Sequence, residues 1–374
     1  MFDITPLEKS LGQSLYCFAI YLLMVLIGSV YNVNYELRRV EKKNITFFLV
    51  LGLFVYTLTN FVNGDYYHYY VYINNLYSVN SSRGLEPLYQ HVALLFNNNY
   101  LLFRLFVWGL ALFLYIKTIK RFNLSVNHTI FILIVCFFNT FSYARASLGM
   151  AIFFYGFSYF YVSNKHPLLG KILGIAFMIA SIYFHRSMYI LLGMFVISYF
   201  VPTNKTGLLS LLCIFPILVT GVKLLFGNLL ESNSVDDEMM ASKMLLYSEA
   251  VSEQLNWKGV FQNLLQYSTY YVPLIMVTKK FIFDNKVYEI SSAYVHLYKL
   301  TFAVIYLASI FLFVVATNQV FFYRILFMSM IPTTFLLSYL VDKKIIEFKK
   351  FKLVITLGVL YSCLFYMAVI KSSI

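Results

Sequence analysis

Apolar residues gather in long unbroken runs along the chain instead of recurring at helical or strand intervals between polar ones. The runs lie near 12–31, 45–62, 100–118, 127–141, 145–162, 168–184, 187–201, 207–226, 259–278, 293–316, 319–341 and 351–370, each bounded by short polar punctuation. A nearly uncharged run of about 18 residues or more crosses a hydrocarbon core roughly 30 Å thick as a helix, which satisfies every backbone polar group within the segment. The pattern therefore predicts an all-α, polytopic integral membrane protein with about twelve transmembrane helices. Some runs fall short of the full length, and their boundaries shift by a few residues with the window chosen. The first run has no small-residue cleavage motif and leads into ordinary alternation of span and loop, so it is expected to be a retained helix and not a signal peptide. Without an internal repeat, linker or low-complexity tract, residues 1–374 are expected to form a single integral domain. The longer polar stretches 63–99 and 227–258 contribute to its site, because long loops tend to carry function.

Composition excludes more than it adds. Of 374 residues, 60% are hydrophobic, 20% aromatic and 12% charged, against about 25% charged in a soluble domain. A soluble enzyme and a disordered chain are both ruled out. Cys17, Cys136, Cys213 and Cys363 stand singly inside apolar runs, with no spacing suited to a metal or a disulfide framework. The chain has no Walker-type glycine loop, no His-Glu-x-x-His helix, no Gly-x-Ser-x-Gly elbow and no series of intramembrane acids. No metal or other cofactor is expected.

The formal charge of +13 points to topology and not to nucleic acid, since Lys and Arg sit in short loops between spans. With alternate loops assigned to opposite sides, 19 of the 29 basic residues and six of the 16 acidic ones fall on one side, leaving the other neutral. The positive-inside rule makes the basic side cytoplasmic and both termini external. Rich Lys, Asn, Ile, Phe and Tyr usage suits a bacterial plasma membrane.

Against that asymmetry, arginines at the outer ends of spans stand out. A charge near the bilayer centre costs on the order of 3 kcal/mol, so ionisable residues in or beside spans are candidates for function. Arg104 lies inside the third span, Arg145 opens the fifth, His185 and Arg186 occupy the turn after the sixth, and Arg324 lies within the eleventh. Because the fifth and sixth spans are a hairpin of near-equal arms, Arg145 and His185 should finish level. One such Arg reads naturally as snorkelling to lipid phosphates. Four on the side usually depleted of cations read better as a polyanion site, guanidinium being a bidentate phosphate ligand. The first outer loop adds carboxylates: Asp65, His68, Tyr69 and Tyr72 share one face of a helix, and Glu86-Pro87-Leu88-Tyr89 opens another, with Pro87 at its first position. The tyrosines Tyr66, Tyr69 and Tyr89 suit both an interfacial belt and a platform for sugar rings. The second outer loop is acidic and reads as a solvated excursion. In the ninth span Gln262, Asn263 and Gln266 cluster on one face and predict a polar lining.

Together, Gly64-Asp65-Tyr66 with Tyr69, Glu86-Pro87-Leu88-Tyr89, the run Arg145-Ala146-Ser147-Leu148-Gly149-Met150-Ala151, Phe184-His185-Arg186-Ser187 and Tyr323-Arg324 resemble, in order and spacing, the EpsG-like branch of the Wzy-type polysaccharide polymerases. At Arg145-Ala146 the match departs from the Arg-Gln usual in that family. The resemblance implies a GT-C-like helical bundle with interfacial helices in the first outer loop. It implies a substrate of oligosaccharide repeat units on undecaprenyl pyrophosphate, displayed at the periplasmic or external face, and transfer of the growing glycan onto the next repeat. In such a reaction Arg145, Arg186, Arg324 and Arg104 would bind the pyrophosphate, and Tyr66, Tyr69 and Tyr89 the glycan. His185, Asp65 and Glu86 are the bases to weigh, with His185 favoured because neutral imidazole is available near pH 7. Direct attack would invert the anomeric centre. Membrane lipid, a chain-length regulator and a flippase are the partners implied, and nucleic acid is not. The competing functions are a lipid-linked oligosaccharide flippase or transporter, and a ligase moving finished glycan to another acceptor.

Overall fold

A computed structural model describes residues 11–38, 43–60, 73, 86–96, 99–141, 143–162, 167–231, 257–284, 290–314, 319–346 and 348–371. Among them every regular element is helical. In chain order these are α1 Leu11–Arg38, α2 Lys43–Thr59, α3 Pro87–Leu95, α4 Tyr100–Arg121, α5 Val126–Phe141, α6 Ala144–Val162 and α7 Pro167–Phe184. There follow α8 Met188–Ile197 with a 3-10 turn Ser198–Phe200, α9 Lys205–Glu231, α10 Trp257–Thr278 continuing as a π-helical turn Lys279–Phe283, α11 Ser292–Val314, α12 Gln319–Phe327, α13 Met330–Asp342 and α14 Phe348–Lys371.

Six of these contain stretches long and apolar enough to cross a membrane, Leu11–Ser29, Tyr100–Arg121, Pro167–Phe184, Lys205–Val222, Ser292–Leu312 and Phe351–Lys371, and four shorter apolar helices accompany them. The chain is thus a multi-pass membrane protein, with the number of crossings resting on what the shorter helices do. One expected span differs in kind. The run 319–341 is broken at Met328 and Ser329, where turn hydrogen bonds to Ile325 O and Leu326 O replace helical ones. The cause is Pro332: its ring clashes with the carbonyl four residues back, that of Met328, and it offers no N–H to it. In contrast, α9 runs on to Glu231, past the expected end of its span.

The chain divides into two compact units, Met1–Leu192 with Leu337–Ile374, and Gly193–Leu336. In the first, α1, α2, α5 and α14 pack together, with the Tyr56 and Tyr366 hydroxyls bonded at 2.5 Å and the Tyr56 ring stacked on Phe138 at 3.6 Å. Beside them α6 is packed by α4 and α7 and is buried without interruption from Ala146 to Phe154. A helix apolar on all sides belongs in a core. Its tight partner is α7: a Cβ added to Gly156 would lie 2.6 Å from the Gly174 carbonyl oxygen, and one added to Gly174 would lie 2.8 Å from that of Gly156. Only paired glycines permit this approach of the two backbones.

In the second unit α11 packs against α9, α10 and α12. Tyrosine hydroxyls cross between helices: Tyr323 donates to Asn263 Oδ1 at 2.8 Å, Tyr271 bonds Ser309 at 2.7 Å, and Tyr306 donates to the Leu211 carbonyl at 2.7 Å. Asn263, one of the expected lining residues of α10, is engaged in this interhelical bonding.

Candidate functional site

The helix α3 starts where the Glu86-Pro87 signal places it. Pro87 occupies the first turn, and Glu86 precedes it with an extended backbone, φ −65° and ψ 141°. The Glu86 side chain, however, makes no capping bond to its own helix. It points instead to the end of the α6–α7 hairpin. Oε2 accepts a hydrogen bond from Arg145 Nη1 at 2.8 Å. Oε1 accepts one from the Arg186 backbone N–H at 3.0 Å and faces His185 Nδ1 at 3.3 Å, an ion-pair distance off the hydrogen-bond axis. The carboxylate is buried, its side chain 4% exposed, whereas Arg145 and His185 retain 22% and 20%.

Local structure explains the convergence. After Phe184 the chain turns through His185-Arg186-Ser187, with Met188 N–H bonded to the His185 carbonyl at 2.9 Å and Tyr189 N–H to that of Arg186 at 3.0 Å, before α8 departs. The tight turn aims the Arg186 N–H at Glu86 and leaves its side chain outside, where Arg186 is exposed. On α6, Arg145 and Gly149 are one turn apart and share a face. Gly149 lets that face close on the turn, since a Cβ there would lie 3.1 Å from His185 Cβ and 3.1 Å from Met188 Cγ. The arms of the hairpin are locked further down by Gly156 and Gly174, so the level at which Arg145 and His185 meet is set by packing.

The electrostatics follow. Burial alone would raise the Glu86 carboxyl, but His185, the Arg145 guanidinium and the Arg186 amide outweigh it and hold the carboxyl down at about 2. Glu86 is an anion faced by the side chains of Arg145 and His185, while the Arg186 side chain is exposed.

Arg104 and Tyr89, also expected at the site, are buried in the fold. Arg104, 5% exposed, donates from Nε to the Leu58 carbonyl at 3.1 Å, from Nη2 to the Thr57 carbonyl and from Nη1 to Tyr100 Oη at 3.1 Å. It thereby satisfies carbonyls at the C-terminus of α2, where helical partners run out. Tyr89 is 2% exposed and packs edge-on against Phe103 at 4.8 Å. Arg324 is exposed on α12, in the second unit. Asp65, Tyr66 and Tyr69 lie outside the described residues. Among the described residues no group of three or more His, Cys, Asp or Glu is placed to hold a metal ion. Gly149 is the residue the sequence analysis passes over as a positioning element, although its spacing of four from Arg145 already marks it.

The EpsG family matches residues 43–374. The chain belongs to the EpsG family. This is a family of Wzy-like polysaccharide polymerases and exopolysaccharide biosynthesis proteins. No curated protein and no solved structure matches the chain. All four residues of the Glu86 cluster, Glu86, Arg145, His185 and Arg186, belong to the motifs on which the resemblance rests.

Proposed function

We propose that this EpsG-family protein is a polysaccharide polymerase, a glycosyltransferase that joins oligosaccharide repeat units carried on undecaprenyl pyrophosphate at the outer face of a bacterial plasma membrane. The observation that carries the proposal is the convergence of Arg145, His185 and Arg186 on the buried carboxylate of Glu86 at one end of the α6–α7 hairpin.

A lipid diphosphate leaving group develops charge at the headgroup level, and fixed guanidinium groups stabilise that charge without reorganising when it appears. Arg145 and Arg186 hold the diphosphate. Arg324 keeps its sequence-based candidacy for the same anion, and Arg324→Ala should then abolish product while leaving protein abundance intact. Arg104, committed to the α2 carbonyls, supports the fold beside the site. His185 is the base that receives the acceptor hydroxyl proton, since the Glu86 carboxylate, held at about 2, is a poor proton acceptor. Tyr66 and Tyr69 remain the loop residues for orienting glycan, and Asp65 remains the alternative base. Direct displacement inverts the anomeric centre.

The deciding experiment incubates the purified full chain with a synthetic lipid-diphosphate repeat unit and resolves products by size. A ladder accompanied by release of the lipid diphosphate is expected. Intact monomer moved across a vesicle, with no ladder, overturns the proposal in favour of a flippase, and a single transfer to a non-repeat acceptor in favour of a ligase.

A further inference from the structure

Three groups compete around one carboxylate, and their arrangement says more than that they meet. Both oxygens of Glu86 are engaged from the protein side, Oε2 by Arg145 and Oε1 by the Arg186 N–H, and the side chain is nearly closed to solvent. The imidazole of His185 presents one edge to this carboxylate: Nδ1 is buried and stands 3.3 Å from Oε1. No hydrogen bond engages Nε2 among the described residues. Gly149 lets α6 close on the base of the His185 side chain, where an added Cβ would lie 3.1 Å from His185 Cβ.

We infer that Glu86 is a positioning residue: a small rotation of the imidazole turns the 3.3 Å approach of Nδ1 to Oε1 into a hydrogen bond, which fixes His185 as the tautomer protonated at Nδ1 and so leaves the Nε2 lone pair facing the acceptor hydroxyl. A histidine that must accept a proton at one nitrogen needs the other held as a donor, and a buried carboxylate is the usual holder. The inference rests on the transferase reaction proposed above and assigns the division of labour within it. The acceptor hydroxyl oxygen forms the new bond to the donor's anomeric carbon as the bond from that carbon to the diphosphate oxygen breaks. The leaving lipid diphosphate takes the bonding pair, stabilised by Arg145 and Arg186. The hydroxyl proton passes to Nε2, and the resulting imidazolium is stabilised by Glu86 until it is released to water.

The other charged and titratable groups near Glu86 do not displace His185 in this role. On α3 itself His91 turns Nδ1 to the Pro87 carbonyl at 2.5 Å. From α4, Arg104 is engaged with the α2 carbonyls and Tyr100. On α7 the nearest titratable residue along the chain, Tyr183, is exposed. Arg145 is a cation throughout and stabilises the carboxylate as an anion, which is the form the pair requires.

The test uses full-length protein labelled with ¹⁵N-histidine, with the His185 signal identified by its loss in His185→Gln. The wild-type spectrum at pH about 8 should show Nδ1 protonated and Nε2 bare. In Glu86→Gln the tautomer preference should be lost and the ladder-forming rate should fall roughly 10- to 100-fold, while Glu86→Asp recovers part of both. A wild-type His185 protonated at Nε2 overturns the inference without any variant needing to fold. A Glu86→Gln enzyme of unchanged rate overturns it too. Wild-type protein that forms no ladder defeats the transferase reading instead, and the tautomer measurement then still decides whether the pair exists.

Discussion

Arg145 Nη1 and Glu86 Oε2 lie 2.8 Å apart across 59 positions of sequence, joining the start of α6 to the start of α3. The guanidinium is thus paired to the carboxylate through Nη1, and its planar fork is the geometry that suits a second anion such as a diphosphate. Lysine cannot serve both anions, because a compact ammonium lacks the forked donors. Arg145→Lys should fold and lower the ladder-forming rate about 10- to 1000-fold, with Arg145→Ala lower still. Arg145→Ala should also lose abundance, since Glu86 is left buried with one partner fewer, and adding Glu86→Gln should restore abundance but not the ladder. Quantified membrane expression beside the product assay separates the two effects.

The same carboxylate makes the fold sensitive to acid. Its carboxyl is held at about 2 against an ordinary value of 4.5, so native Glu86 stays ionised where the unfolded chain has taken up a proton. The stabilisation is fully present above about pH 4.5 and is lost as pH falls toward 2, and one pKa unit corresponds to about 1.4 kcal/mol. Its size is at most about 3 kcal/mol. Thermal unfolding in detergent should show the midpoint falling over that window in the wild type, and Glu86→Gln should remove much of the fall. Parallel curves for the two proteins would contradict the assigned electrostatics.

Glycine spacing on α6 should control the site from within the core. Gly149 closes on His185 and Met188, and Gly156 on the backbone of α7. Gly156→Val forces a side chain into a carbonyl oxygen 2.6 Å from its Cβ position and should cost about 1–3 kcal/mol. Gly149→Ala places its Cβ 3.1 Å from His185 Cβ and Met188 Cγ, a shortfall of a few tenths of an ångström, so it should cost less stability than Gly156→Val while displacing His185 and reducing product. Unfolding midpoints and ladder formation, measured on both variants, should order them oppositely.

What the sequence makes legible divides along physical lines. The near-equal arms of the fifth and sixth runs place Arg145 and His185 at one level, because helical rise converts residue number directly into depth. Pro87 marks the start of α3 for an equally local reason. The role of Glu86 depends on where α3 docks, a tertiary contact across 100 positions to Arg186 that no local pattern encodes. Arg104 shows the converse. Its depth is legible, but the carbonyls of Thr57 and Leu58 that occupy it come from another helix. The break at Met328 was available in Pro332, yet continuous hydrophobicity on both sides conceals a change of helix.

A second carboxylate–histidine contact offers a control that separates folding from chemistry. Asp342, at the end of α13, accepts from the Ser125 backbone N–H through Oδ2 at 2.7 Å and faces His128 Nδ1 through Oδ1 at 2.5 Å. A neighbouring bond joins Thr129 to Ser338 at 2.7 Å. The carboxylate thus sits at the N-terminal end of α5, where free N–H groups and the helix dipole favour an anion. Asp342→Ala removes this acceptor from the Ser125 N–H and from a histidine that is 2% exposed, and should destabilise the protein by about 1–3 kcal/mol. Asp342→Asn keeps an acceptor for one of the two and should cost less. Because neither Ser125 nor His128 touches the Glu86 cluster in the bonding described, the protein that does fold should form product at the wild-type rate per molecule. A specific activity reduced in proportion to that of Arg145→Lys would mean that the α5–α13 junction acts on the reaction itself.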